Sequence, residues 1–223
     1  MMKENIFPSP ARDLVRIHKV ITRGLAISLE SGAEFIQAGF PDLRMHHGFA
    51  DYSLSLTIVL EAHHLAEDNV AFPIFKKKLP QGPYERLSAT HKEIEALLVP
   101  LRRAVVDVAG DKFEASLTLL VDGLRKIAEV WAPHIRMEES IFSLEALSEV
   151  MSQEEQASLS IAMGRYSSEH ATPAYYALPF VLFNLSGDDR AAMGATIPAT
   201  VMDDLIMKAW KDQWEPMKPF LLE

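Results

Sequence analysis

The segment HHLAEDNVAFPIF (residues 63–75) holds the pattern that decides the fold. Leu56, Val59 and His63 recur at spacings of three and four residues, which is typical of one apolar face of an α-helix. Glu67 lies four residues after His63 on the same face. Side chains four apart on a helix are neighbours, so these two can reach one metal ion. A histidine and a glutamate on the inner face of one helix are therefore the first candidate ligands.

The segment EVWAPHIRMEESIF (residues 129–142) repeats this arrangement with His134 and Glu138. Two further histidines, His18 and His91, occupy apolar faces of other helical segments. The periodicity predicts that all four histidines point inward, one from each long helix. Burying so many ionisable groups without a metal ion would be costly, because each charged form loses its hydration. We interpret the histidines and the two glutamates as metal ligands.

The apolar periodicity is helical almost throughout, and it contains no convincing strand pattern. The fourth long helix is expected to begin at Asp111, a good N-cap, and to be interrupted by Pro133. Short glycine- and proline-containing turns separate the helices, which favours antiparallel neighbours in an up-down-up-down four-helix bundle. The four predicted helices cover residues 10–38, 43–79, 84–109 and 111–151.

After residue 151 the predicted helices become shorter than the four of the bundle. Ser152 and Glu155 form a capping-box pattern that predicts a fifth helix to about residue 169. Shorter helices are expected at residues 173–185 and 198–214. About 70 residues of short helices build a poor core alone. We therefore expect a bundle domain over residues 1–151 and a C-terminal helical extension, residues 152–223, packed on it.

Composition excludes several classes of protein. The 223 residues include eight histidines and no cysteine, so thiol chemistry, disulfides and iron–sulfur clusters are excluded. The net charge of −9 argues against a nucleic-acid partner, because phosphate binding needs clustered lysine and arginine. No apolar run reaches the roughly 18 residues of a membrane span, and the N-terminus lacks a secretory pattern. We expect a cytoplasmic protein with no membrane partner.

Four segments together resemble the hemerythrin-like HHE cation-binding family, over roughly residues 10–150. They are RIHKVITRGL (residues 16–25), HHLAEDNVAFPIF (63–75), LSATHKEIEALL (87–98) and EVWAPHIRMEESIF (129–142). The resemblance implies two non-haem iron ions with bridging glutamates, held by His18, His63, Glu67, His91, His134 and Glu138. Manganese and zinc suit the same ligand types, so only the resemblance selects iron.

The resemblance also implies a function. Six side chains leave open positions on two irons, so we expect the centre to bind or react with O₂, NO or peroxide. Sensing, scavenging and iron handling remain open as roles. The protein is not expected to be a conventional enzyme, although the centre could scavenge oxidants. The alternative is a helical interaction module with a purely structural metal, in which residues 152–223 form a homodimer or partner surface.

Several polar residues remain outside the predicted ligand set. Glu95, four residues after His91, is either a seventh ligand or part of a solvated flank. His170 is expected to be exposed, with a place at an entrance to the site as the alternative. Asp68, Glu139 and His64 are expected to lie outside the ligand set, around the site or at the surface. His46 and His47 are expected to lie near the helix start, too far from His63 to share a metal.

Overall fold

The structure is a computed structural model that describes residues 7–110 and 113–222, and this part of the chain is helical without strands. The all-α fold is thereby confirmed. None of the helices in these two ranges is both long enough and apolar enough to cross a membrane. The α-helices are α1 (Pro10–Ala38), α2 (Leu43–Ala66), α3 (Phe72–Lys78), α4 (Tyr84–Val108), α5 (Phe113–Ile141), α6 (Leu144–Val150), α7 (Gln153–His170), α8 (Ala174–Phe183), α9 (Gly187–Gly194) and α10 (Lys211–Trp214). Two π-helical segments (Glu67–Ala71 and Val201–Ala209) and one 3₁₀ helix (Glu215–Phe220) complete the described structure.

Four long helices form the bundle. Helix α1 packs against α2 and α5, and α4 packs against the same two helices. Each bundle helix therefore contacts two neighbours and turns an apolar face toward a shared interior. Helix α2 begins at Asp42, whose side chain accepts a hydrogen bond of 2.7 Å from the Met45 backbone. This cap satisfies one of the free amides at the start of the helix.

The apolar core is divided into two clusters along the bundle axis. The larger cluster contains, among others, Ile21, Leu60, Ile94 and Trp131, and the smaller one contains Leu14, Phe72, Leu87 and Phe142. On every long helix, the predicted metal ligands are flanked by residues of the larger cluster on one side and of the smaller cluster on the other. The polar site therefore separates two apolar halves.

The C-terminal extension covers one side of the bundle. Helix α7 packs against α1, α2 and the first π-helical segment (Glu67–Ala71). Helix α8 and the 3₁₀ helix pack on α2. Arg23 of α1 joins the two parts, because its guanidinium donates to the Tyr52 hydroxyl (3.2 Å) and to the Phe220 carbonyl (2.8 Å). The Tyr52 hydroxyl in turn donates to Asn184 Oδ1 at 2.7 Å. Buried polar contacts thus fix the extension to the bundle.

The structure corrects some predicted helix boundaries. Pro133 does not interrupt α5, which runs to Ile141, and Ser143 then caps the separate helix α6. The predicted helix over residues 43–79 changes to π-helical hydrogen bonding at Glu67–Ala71. Helix α9 was not predicted. The proposed N-cap at Asp111 lies outside the described residues. The capping box of α7 is confirmed.

We predict that Gly48→Ala destabilises the protein. A Cβ atom at Gly48 of α2 would lie well inside contact distance of the Pro216 carbonyl oxygen, which is backbone and cannot rotate away. The 3₁₀ helix would have to move off α2, and overpacking of this kind costs about 1–3 kcal/mol. Chemical denaturation measures the change in the free energy of unfolding.

The matched control is Gly164→Ala. Gly164 is exposed on α7, and outside its own helix backbone no atom lies within 4 Å of an ideal Cβ at this position. Alanine is the better helix former, so this variant should gain up to about 1 kcal/mol. Equal unfolding midpoints for Gly48→Ala and the parent would show that the 3₁₀ helix does not depend on this close approach.

Candidate metal centre

The structure brings the six predicted ligand side chains together between the two apolar clusters. All six are buried, with exposed fractions between 0% and 5%. Each bundle helix supplies one of the four predicted histidines at the same level, because the apolar stripes that surround these residues align when the helices pack. Their positions are His18 on α1, His63 on α2, Glu67 at the start of the π-helical segment, His91 on α4, and His134 and Glu138 on α5.

The side chains form two groups that could each hold a metal ion. One group contains His64, Glu67, His91 and His134, and the other contains His18, His63, Glu67 and Glu138. Within each group, one nitrogen or oxygen atom from every residue lies within 4.8 Å of the others. Glu67 belongs to both groups, which is the arrangement expected of a carboxylate shared by two ions.

The two carboxylates lie among the histidine nitrogens. Glu138 Oε2 is 3.3 Å from both His18 Nε2 and His134 Nε2. Glu67 Oε2 is 3.4 Å from His63 Nε2 and 3.4 Å from His91 Nε2. Each glutamate therefore contacts histidines of both groups, so the two groups form one continuous centre.

Many polar atoms of the centre have no hydrogen-bond partner. Buried atoms of this kind cost about 1–3 kcal/mol each when they remain unsatisfied. Nitrogen lone pairs and carboxylate oxygens that converge without donors match the needs of a borderline metal cation. The donor set therefore fits a metal. The unpartnered atoms are His18 Nε2, His63 Nε2, His64 Nε2, Glu67 Oε2, His134 Nδ1 and both carboxylate oxygens of Glu138.

The electrostatics of the site reflect its burial. Burial raises the pKa of Glu67 to about 7, and the charge of Glu138 adds to this shift. Burial also acts to raise the pKa of Glu138, but contacts with histidines, first His134, hold it well below its usual range. Burial lowers the pKa values of His63 and His64 far below normal. Both imidazoles are therefore neutral, which is the form that binds metals.

Two histidines have a carboxylate partner on the side away from the centre. His18 Nδ1 donates to Glu139 Oε1 at 2.8 Å, and His91 Nδ1 donates to Asp68 Oδ2 at 3.0 Å. The side chains of Glu139 and Asp68 are partly exposed and belong to neither metal-binding group. This agrees with the expectation that both acids lie outside the ligand set.

The π-helical segment begins at the shared glutamate. Its backbone amides bond five residues back rather than four, which inserts one residue into the turn. Glu67 is buried in the centre, and the next residue, Asp68, lies at its edge. Two consecutive acids thus serve the same site, as Glu138 and Glu139 also do from α5, which has no π-helical turn.

His64 was wrongly expected to point away from the site. It is buried, its ring stacks on His91 at 4.1 Å, and it completes the group with Glu67 and His134. The prediction assumed that the residue directly after His63 would point away from the ligands and lie outside the ligand set. The His64 ring instead lies between α2, α4 and α5, 5.6 Å from the ring of His134. The almost unbroken run of apolar and small residues before His63 was the available signal, since a helix that is apolar all round is a buried one.

The remaining candidates lie apart from the two groups. Glu95 is exposed, so it belongs to a solvated flank. His170 is exposed at the end of α7 and stacks on Tyr166 at 4.1 Å. His46 is buried near the start of α2 and contacts the Val108 carbonyl oxygen. None of these histidines contributes to the two described groups.

Comparison with known families identifies the class of protein. The model of the hemerythrin HHE cation binding domain matches residues 9–143, which is more than half of the chain. The protein therefore belongs to the hemerythrin HHE cation-binding family. The match spans α1 to α5 and includes every residue of the two groups. Comparison with curated proteins and with solved structures gave no significant match.

We predict that His64→Leu lowers the affinity for one of two metal ions. Leucine keeps most of the buried volume but removes a nitrogen from the group of His91 and His134. The loss should exceed the roughly 10–100-fold that removal of an outer hydrogen-bond partner costs. Titration against a competing chelator measures it. Glu95→Ala is the control and should bind like the parent, whereas a His64→Leu protein with parental affinity would exclude His64 as a ligand.

Proposed function

We propose that the protein holds two iron ions, one in each group, with Glu67 and Glu138 as bridges, and that this centre binds or reacts with O₂, NO or peroxide. One observation carries the proposal: two buried groups share Glu67 and present nitrogen and oxygen atoms that have no other partner. Membership in a cation-binding family points in the same direction.

The donor chemistry supports iron. Imidazole and carboxylate are borderline and hard donors that suit iron, manganese and zinc, and the chain has no cysteine to favour softer ions. The family resemblance favours iron among these metals. Metal identity is therefore the first quantity to be measured.

The number of donors supports a reactive centre. The two groups together contain seven side chains, whereas two irons take about five or six donors each, so positions remain for a small ligand. When bound, iron would supply a Lewis acid and a one-electron redox couple at those positions. The protein itself needs only to hold the ions and to enclose the ligand.

The surrounding aromatic residues orient the histidines and exclude water. The Trp131 ring packs edge-on against His18 at 5.2 Å, and its indole nitrogen donates to Thr22 Oγ1 at 2.9 Å. Phe72 stacks on His91 from the smaller cluster at 5.6 Å. A small ligand at the centre would therefore be enclosed by aromatic side chains that limit the access of bulk water.

The proposal predicts a specific spectrum. Protein purified from iron-replete cells should contain two irons per chain by elemental analysis. Addition of azide to the oxidised protein, or of O₂ to the reduced protein, should change the ligand-to-metal absorption bands. Two bound ions with an unresponsive spectrum would instead support a structural metal, with residues 152–223 as a partner surface. Absence of any metal would contradict both functions.

We further predict that Glu67→Ala and Glu138→Ala each reduce the stoichiometry from two ions toward one or none. Each change removes a carboxylate that contacts histidines of both groups. The matched control is Glu129→Ala, which removes an exposed carboxylate from α5 and should retain two ions. Two irons and an unaltered spectrum in both glutamate variants would show that neither residue is a bridge.

A further inference from the structure

We propose that Asp68 and Glu139 are positioning residues, each of which secures one of the two metal groups through a histidine on another helix. The proposal rests on the two-ion centre proposed above. It assigns a separate outer residue to each ion, so that the two ions can be weakened independently.

The two histidines, His18 and His91, are those without a buried glutamate four residues further along their own helix. His63 and His134 each have a buried glutamate four residues further along the same helix. His18 has no such residue, and the glutamate four residues after His91 is exposed. The lone histidines are the ones whose Nδ1 atoms donate to Glu139 and Asp68.

Each positioning residue directly follows a shared or central glutamate in the sequence. Glu67 is followed by Asp68, and Glu138 by Glu139. The first acid of each pair turns into the centre, and the second reaches across to another helix. Asp68 contacts α4 and Glu139 contacts α1, so the two contacts join different pairs of helices.

The hydrogen bonds determine which nitrogen faces the metal. A carboxylate that accepts from Nδ1 keeps the proton on that atom and leaves the Nε2 lone pair free. Nε2 of His18 lies 3.3 Å from Glu138, and Nε2 of His91 lies 3.4 Å from Glu67. Both lone pairs are thus directed into the centre.

The contacts divide between the two groups. His91 belongs to the group with His64 and His134, whereas His18 belongs to the group with His63. Asp68 therefore serves the first group and Glu139 the second. Asp68 is itself held, because Ser88 Oγ donates to Asp68 Oδ1 at 2.6 Å.

The experiment compares Asp68→Ala and Glu139→Ala with the parent in two measurements. Chelator competition gives the affinity of each of the two ions. Nitrogen NMR of the diamagnetic zinc-loaded protein reports, for His18 and His91 separately, which nitrogen is protonated and which is coordinated. Asp68→Ala should weaken one ion about 10–100-fold and change the His91 signals alone. Glu139→Ala should weaken the other ion to a similar extent and change the His18 signals alone.

Conservative variants separate positioning from general stability. Asp68→Asn and Glu139→Gln keep an oxygen that accepts from Nδ1, so they should recover part of the affinity and the parental protonation pattern. Glu95→Ala controls for loss of an exposed negative charge near the site. Thermal unfolding of these two conservative variants without added metal should match that of the parent, whereas each alanine variant leaves a buried nitrogen without an acceptor.

The outcomes distinguish this proposal from the one on which it rests. A parent that binds two ions and alanine variants with parental affinities and signals would overturn the positioning role alone. Equal weakening of both ions by either variant would also overturn it, because the assignment of one residue to each group would be wrong. A parent that binds fewer than two ions would overturn the two-ion centre itself.

Discussion

Burial of seven histidine and glutamate side chains between two apolar clusters is the constraint on which the structure depends. Glu67 and Glu138 are 1% and 0% exposed, so water cannot stabilise their charges. Nearby imidazoles can balance two carboxylates only by taking up protons, whereas metal cations balance them and also satisfy the nitrogen lone pairs. The centre is therefore both the candidate functional site and the part of the core that most needs a cation.

Helix α2 determines how this site is enclosed. It contacts α1 and α4 within the bundle and α7, α8 and the 3₁₀ helix from the extension. Ser167 of α7 donates to the carbonyl oxygen of Ala62, immediately before His63. The extension therefore lies directly behind the ligand-bearing turn. Residues outside the family match thus pack directly against the ligand-bearing part of α2.

The sequence was sufficient to predict the helical class, the four long helices and the six side chains that converge. Helical spacing carries this information, because a residue on an apolar stripe must face the interior of a bundle. The position of His64 was harder to predict, since it depends on how α4 and α5 pack against α2 at the level of His91 and His134. Local backbone changes were also missed: they are the π-helical turn at Glu67 and the break before α6, where Ser143 caps the new helix.

The centre shows an approximate internal repeat that a single residue breaks. Helices α1 and α2 provide a lone histidine and then a His-x-x-x-Glu pair followed by an acid, and α4 and α5 provide the same series. Asp68 from the first pair of helices contacts His91 of the second, and Glu139 from the second pair contacts His18 of the first. The residue after His63 is His64, but the residue after His134 is Ile135, which packs against the larger apolar cluster. One group therefore has three histidines and one glutamate, and the other has two of each. Because donor type influences metal preference, two ions bound in these groups would not be equivalent. His64 accounts for one part of the difference, and Glu138, which belongs to the second group alone, accounts for the other.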